Sequence, residues 1–293
     1  KKKKTMKIMA SEASLFESSE TLASLVSSTP LLEESWKVCG VADTSVDSHF
    51  AVIRVGGTAY LGFSGVKLAA GFDQSCRNLV PFPDEFFSSL CQDGLDPPMV
   101  HAGLLHLFLS VYADSLFTHQ VVEIMNTSKS IVITGHSIGG AIASLLALRL
   151  LCLLQTISSV ICITFGSPML GNESFSRVIL QERWAGHFCH VVSQHDLVPR
   201  LFFAPSTPLS SSPCSFENKT QLFHVVLGSL GVLSKDECKS LFCPFGSYLF
   251  CTNTGSVCVD NGMLVIKLLY LTLLNGSLNS SLEDHLGYAD FIR

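Results

Sequence analysis

The chain has 293 residues, 47% of them hydrophobic and only 15% charged, which is ample for a sizeable core under a sparsely charged surface. A net charge of -5 gives no electrostatic basis for nucleic-acid binding. The longest apolar stretches, 138–154 and 263–274, are broken by Arg149 and Lys267 and fall short of the ~20 residues that span a bilayer.

The chain opens on a basic run, Lys1 to Lys4 with Lys7. Residues 1–13 read as a disordered tail, or as translated sequence ahead of an initiator at Met6 or Met9. A helix is expected over 14–28, with Ser14 and Glu17 as a capping box, Leu15, Leu22, Leu25 and Val26 as its apolar positions, and Pro30 as its stop. Residues 50–55 and 58–63 read as strands joined by a Gly56-Gly57 turn. A loop spans 93–98, and 100–116 is apolar at helical spacing.

Residues 131–134 form a short apolar run suited to a strand buried on both faces. A helix over 138–154, a strand over 160–165, a helix over 172–184 and a strand over 189–193 follow. This alternation predicts right-handed crossovers and an α/β fold, a mostly parallel sheet flanked by helices. Further on come a Ser- and Pro-rich loop at 204–215, a helix at 222–233, a hairpin of 248–252 with 256–260, an apolar helix at 263–274, and a polar turn before 283–293. Without internal repeats or a strong linker, 14–293 reads as one domain. The eleven cysteines contain no C-x-x-C. Several (Cys152, Cys162, Cys189) lie in apolar segments as small hydrophobes, which fits a reducing intracellular setting.

Gly135-His136-Ser137-Ile138-Gly139 matches G-x-S-x-G between a buried strand and an apolar helix, the setting of a nucleophile elbow. A serine hydroxyl needs a base to take its proton, and the base needs a carboxylate to orient it. In this chain order the acid is Asp196, at the end of the 189–193 strand, with Asp260 as the alternative. The base is His285, in a polar turn suited to a mobile loop, with His224 as the alternative. The backbone N–H of Ile138 and one from the turn after 58–63, Val66 or else Ser64, would complete an oxyanion hole. His101, His106, His119, His187 and His190 read as structural. No residue pair has metal-ligand context, and no cofactor is expected.

The motif with Cys162-Ile163-Thr164-Phe165-Gly166-Ser167-Pro168, Cys189-His190-Val191-Val192-Ser193 and His195-Asp196-Leu197-Val198-Pro199-Arg200 resembles the plant lipase-like immune regulators. These are the enhanced-disease-susceptibility, phytoalexin-deficient and senescence-associated carboxylesterase types. Residues 28–31, 75–81, 244–251 and 257–261 look most like the phytoalexin-deficient type, and the match runs from about Leu15 to the end. The resemblance implies a class-3 lipase-like α/β-hydrolase with a triad of Ser137, Asp196 and His285. It implies a role in plant defence, in nucleus and cytoplasm, through a heterodimer with an enhanced-disease-susceptibility-type partner. It places a partner groove at Val26, Leu31 and Ile161. An ester or lipid substrate is the enzymatic alternative. The family's C-terminal helical domain is not within the 293 residues, and Tyr288-Ala289-Asp290 stands where relatives tend to show Tyr-Gly-His.

Overall fold

A computed structural model describes residues 22–26, 28–69, 78–90, 96–153, 160–200, 242–274 and 278–292. The tail at 1–13, the loop at 204–215, the helix at 222–233 and His224 lie outside the described residues.

The strands come where alternating or wholly apolar runs place them. β1 (Phe50–Val55) and β2 (Thr58–Phe63) pair antiparallel around Gly56, whose φ of 60° suits the tight turn. β3 (Leu79–Pro81) and β4 (Met99–His101) form a separate two-stranded sheet, with a short α-helix at Asp84–Phe87 between them. β5 (Ser130–His136), β6 (Val160–Phe165), β7 (Phe188–Ser193), β8 (Ser247–Thr252) and β9 (Gly255–Val259) complete the main sheet. Its order is β1-β2-β5-β6-β7-β8-β9; β2 to β8 run parallel, and the two edge strands are antiparallel to their neighbours.

Both faces of the sheet are covered. On one, Ile131, Ile133, Cys162, Val192 and Phe250 pack with α6 (Ile138–Leu153) and Phe108 of α4 (Ala102–Tyr112). On the other, Tyr60, Val132, Ile163, Val191 and Leu249 pack with α1 (Leu31–Thr44). Successive residues thus alternate between two cores, which is why β5 and β6 read as unbroken apolar runs. α6 is buried nearly all round, so it has apolar residues on every side rather than a stripe.

The 100–116 stretch proves to be three elements: β4, α4, and α5 (Ser115–Thr127), which Asp114 starts by accepting the Leu116 N–H at 2.9 Å. Pro30 does not merely stop one helix. It stands at the N-cap of α1, where its missing N–H costs nothing. The 172–184 helix is shorter, α7 (Glu173–Gln181), capped by Asn172. α8 (Gly262–Leu274) and α9 (Leu278–Leu286) close the chain, and a short 3-10 turn at Tyr288–Asp290 follows. No helix among the described residues is long and apolar enough to cross a membrane.

Leu146 on α6 is fully buried, so Leu146→Ala is expected to cost ~2–5 kcal/mol of folding free energy, read by urea denaturation. A loss below ~1 kcal/mol would mean that the core relaxes around the deletion.

Candidate active site

Ser137 lies between β5 and α6 with φ at 56°, a left-handed backbone that L-residues adopt at a cost of ~1–3 kcal/mol. The surroundings hold it there. Its N–H donates to Phe165 O on the next strand at 2.9 Å. A side chain at Gly139 would stand 2.6 Å from Phe63 O, so the helix starts hard against β2. The strand turns into the helix within one residue, and the strained residue is the serine.

Asp196 and His285 come together. The His285 ring lies with Nδ1 at 2.9 Å from Asp196 Oδ2. A carboxylate only accepts, so Nδ1 carries the proton and the neutral ring keeps its lone pair on Nε2. Asp196 is fully buried. Burial works against its charge, but His285, the Tyr288 hydroxyl at 2.7 Å and the Val198 N–H at 2.8 Å outweigh it and hold the carboxyl below its ordinary range. Burial lowers the His285 pKa, and the charge and hydrogen bond of Asp196 more than reverse this, so the imidazole is more basic than usual. Among the described residues no hydrogen bond joins Ser137 Oγ to that ring. What ties the serine to the pair is Gly166, next to its backbone partner Phe165. Gly166 has φ of 57°, and a Cβ there would meet Asp196 Oδ2, Tyr288 Oη at 2.9 Å and His285 Nδ1 at 3.1 Å.

His285 is not on a mobile loop. It sits in the last turn of α9, a helix whose Asn279, Ser280 and Ser281 favour turns and mask its helicity in sequence. Asp260, the alternative acid, follows the edge strand β9 and is exposed.

Other residues of the site carried no signal of their own. Tyr288 is fully buried; its hydroxyl donates to Asp196 Oδ2 and accepts the Ser193 N–H at 3.2 Å. Burial, then the charge of Asp196, raise its pKa, so it stays a neutral donor. His136 is buried, and desolvation and the neighbouring His285 push its pKa down to about 3. It is therefore neutral, and its Nε2–H donates to the His285 carbonyl at 2.8 Å while the two rings lie tilted by 37° with centroids 4.4 Å apart. Trp36 of α1 packs edge-on to His136 at 5.2 Å and lies against Tyr288 at 5.6 Å. Arg200, almost wholly buried, donates to the carbonyls of Asp196, Gln194 and Leu269 and to Thr272 Oγ1. Burial draws its pKa down to about 10, which leaves it a cation.

Of the two oxyanion candidates on the β2 turn, Ser64 is excluded. Its N–H goes to His49 O at 2.8 Å and its hydroxyl to Asp43 at 2.7 Å. Val66 is the second residue of α2 (Gly65–Ala69), where an N–H has no partner within the helix. Gly65 packs on His136 O and Ser137 Cβ, which sets this turn beside the elbow. Ile138 is the first residue of α6. Val26, Leu31 and Ile161 share one apolar cluster on the α1 side of the sheet. Val26 is buried, and Leu31 and Ile161 are half-buried. His190 is structural, bonded to Thr164 at 2.8 Å, and burial holds its pKa at about 3. Among the described residues no group of His, Cys, Asp and Glu has the arrangement to hold a metal ion.

A parallel sheet turned at a strained serine beside a buried Asp–His pair is the architecture of an α/β-hydrolase of the lipase type. The class 3 lipase family model matches residues 65–206. A triacylglycerol lipase from Penicillium expansum shares the fold, with a TM-score of 0.50 and 15% identity over 81% of this chain and 85% of that one. Lipase-like PAD4 of Arabidopsis thaliana is 36% identical over 94% of this chain and 43% of its own length. Senescence-associated carboxylesterase 101 of the same plant is 28% identical over 68% and 29%, and Protein EDS1B 23% identical over 90% and 50%. The chain is a homologue of these plant lipase-like proteins, and it spans half or less of the length of each.

Tyr288→Phe keeps the ring and removes the hydroxyl from Asp196 and Ser193, so it should cost ~1–3 kcal/mol at pH 7. The folded carboxyl lies below its ordinary range, so the stability it contributes is present above about pH 4 and is lost as pH falls through the folded value. The deficit of the variant should therefore shrink in acid, as urea unfolding at pH 7 and pH 3 would read. An equal deficit at both would assign the hydroxyl to the Ser193 N–H rather than to the carboxylate.

Proposed function

We propose that the chain is the lipase-like part of a plant defence regulator that acts in cytoplasm and nucleus through a heterodimer with an EDS1-type partner. We also propose that Ser137, His285 and Asp196 form a serine-hydrolase triad within it. The observation that carries the defence reading is the 36% identity to lipase-like PAD4 over nearly the whole chain. EDS1-type proteins are homologues of the same chain, and pairing between related folds suits the shared architecture.

The hydrogen bond of His285 to Asp196 favours the second reading, an acylhydrolase acting on a lipid or small ester. In that chemistry Nε2 takes the Ser137 proton as Oγ attacks the acyl carbon. Asp196 steadies the imidazolium, and the N–H groups of Ile138 and Val66 receive the oxyanion. The imidazolium then gives the proton to the leaving group, and water releases the acyl group by the same steps in reverse.

A fluorophosphonate is expected to label Ser137, with Ser137→Ala abolishing the label and His285→Ala slowing it by ~10³-fold or more. Folded protein that resists labelling would reject the hydrolase reading and leave the defence scaffold as the function.

The partner surface is checked separately. Leu31 and Ile161 keep apolar area in water beside the α1 core, as an unoccupied helix-binding groove would. Leu31→Ala should weaken binding of an EDS1-type partner by ~2 kcal/mol or more with little change in Tm. Unchanged affinity with a sharply lowered Tm would return Leu31 to the core.

A further inference from the structure

The end of β7 and the loop after it are fastened to one face of α9 at four points. Ser193 Oγ donates to the Asp284 carbonyl at 3.3 Å, and the His195 N–H to Asp284 Oδ2 at 2.8 Å. Asp196 takes the His285 ring, and the Leu197 N–H donates to Ser281 Oγ at 3.2 Å. The helix residues used are Ser281, Asp284 and His285, at i, i+3 and i+4, so they lie on one face. Two Asp–His pairs cross there. His195 and Asp196 are neighbours on the loop, Asp284 and His285 are neighbours on the helix, and each aspartate faces the histidine of the other segment. The second pair, with His195 Nδ1 at 3.3 Å from Asp284 Oδ2, is the more exposed of the two.

A carboxylate in the last turn of a helix stands at the negative end of the helix dipole, where helix energetics disfavour it. Asp284 is therefore not placed there by helix formation. The titratable groups around it are His195, His285 and Asp196, and its charge acts on Arg200. A single oxygen, Oδ2, accepts the His195 backbone N–H and lies 3.3 Å from the ring Nδ1.

We propose that Asp284 is a positioning residue: by clamping His195 it fixes the last turn of α9 and so sets the direction in which His285 faces Ser137. It would not touch the reacting atoms. The proposal rests on the hydrolase reading for its effect on rate, but the clamp itself can be read without activity.

The experiment compares Asp284→Ala, Asp284→Asn and wild type as the whole 293-residue chain, by fluorophosphonate labelling rate, by amide hydrogen exchange over 278–286 and by Tm. Asp284→Ala should label about tenfold or more slowly, since small misplacements of a catalytic group cost up to ~10²-fold, and should exchange faster across 281–286. Asp284→Asn keeps an acceptor for the His195 N–H and should stay close to wild type in both. A purely structural role would lower Tm and leave the labelling rate of the folded protein unchanged, which overturns the proposal. So would an asparagine variant as impaired as the alanine one, or an alanine variant with unaltered labelling and exchange. If wild type does not label at all, the hydrolase reading fails by itself. The exchange contrast between alanine and asparagine then still decides the clamp.

Discussion

A carboxylate with no exposure to water must have every acceptor filled, and Asp196 is such a group. Left unpaired, a buried charge costs several kcal/mol, so the chain around it is arranged to prevent that. Oδ2 takes the His285 ring and the Tyr288 hydroxyl, and Oδ1 the Val198 N–H. Its carbonyl is held by Arg200, whose other bonds reach α8 at Leu269 and Thr272. Satisfying one anion therefore sets the loop at 194–200, the rotation of α9, the turn that carries Tyr288 and the seat of α8. Gly166 completes the requirement, because any side chain there would occupy the space of the carboxylate itself.

The same arrangement accounts for the two histidines that lie ring to ring. His285 has a carboxylate on Nδ1 and is made more basic; His136 has only a carbonyl to donate to and is held neutral. Two imidazoles with centroids 4.4 Å apart would repel if both were charged, and burial decides which of them stays neutral. The neutral one packs beneath the other and donates to its backbone. Trp36 closes this aromatic group from the α1 side, so α1 supports both the site and the apolar cluster that includes Leu31 and Ile161.

Much of the sheet was legible because strand burial leaves a plain mark. The runs 50–55, 58–63 and 160–165 coincide with the strands observed, and the serine elbow stands where a buried strand meets an all-apolar helix. Chain order also pointed to Asp196 and His285, leaving Asp260 and His224 as alternatives. Other elements were not legible, for physical reasons. α1 buries Ser35, Cys39 and Ala42 beside Leu32 and Val38, a face of small side chains that hydropathy does not distinguish. α5 was hidden because Asp114 interrupts an apolar stretch that otherwise continues. α9 is polar, and a helix held by its docking rather than its propensity looks like a turn. Tyr288 and Gly166 depend on contacts between residues far apart in sequence, which no local pattern records.

Proximity in space also explains why a catalytic reading and a scaffold reading draw on the same residues. A buried anion and a buried arginine are costly features, and their cost is met by bonds that also lock α8, α9 and the β7 loop into one unit. Removing the anion would leave the Tyr288 O–H and the Val198 N–H without an acceptor and take the leading countercharge from the buried Arg200 cation. The network therefore serves stability whether or not an ester is ever cleaved. Ser137 is not needed by that network: its hydroxyl bonds neither partner, and its backbone is strained. The serine is the residue whose presence folding explains least, and so it is the one whose reactivity says most about function.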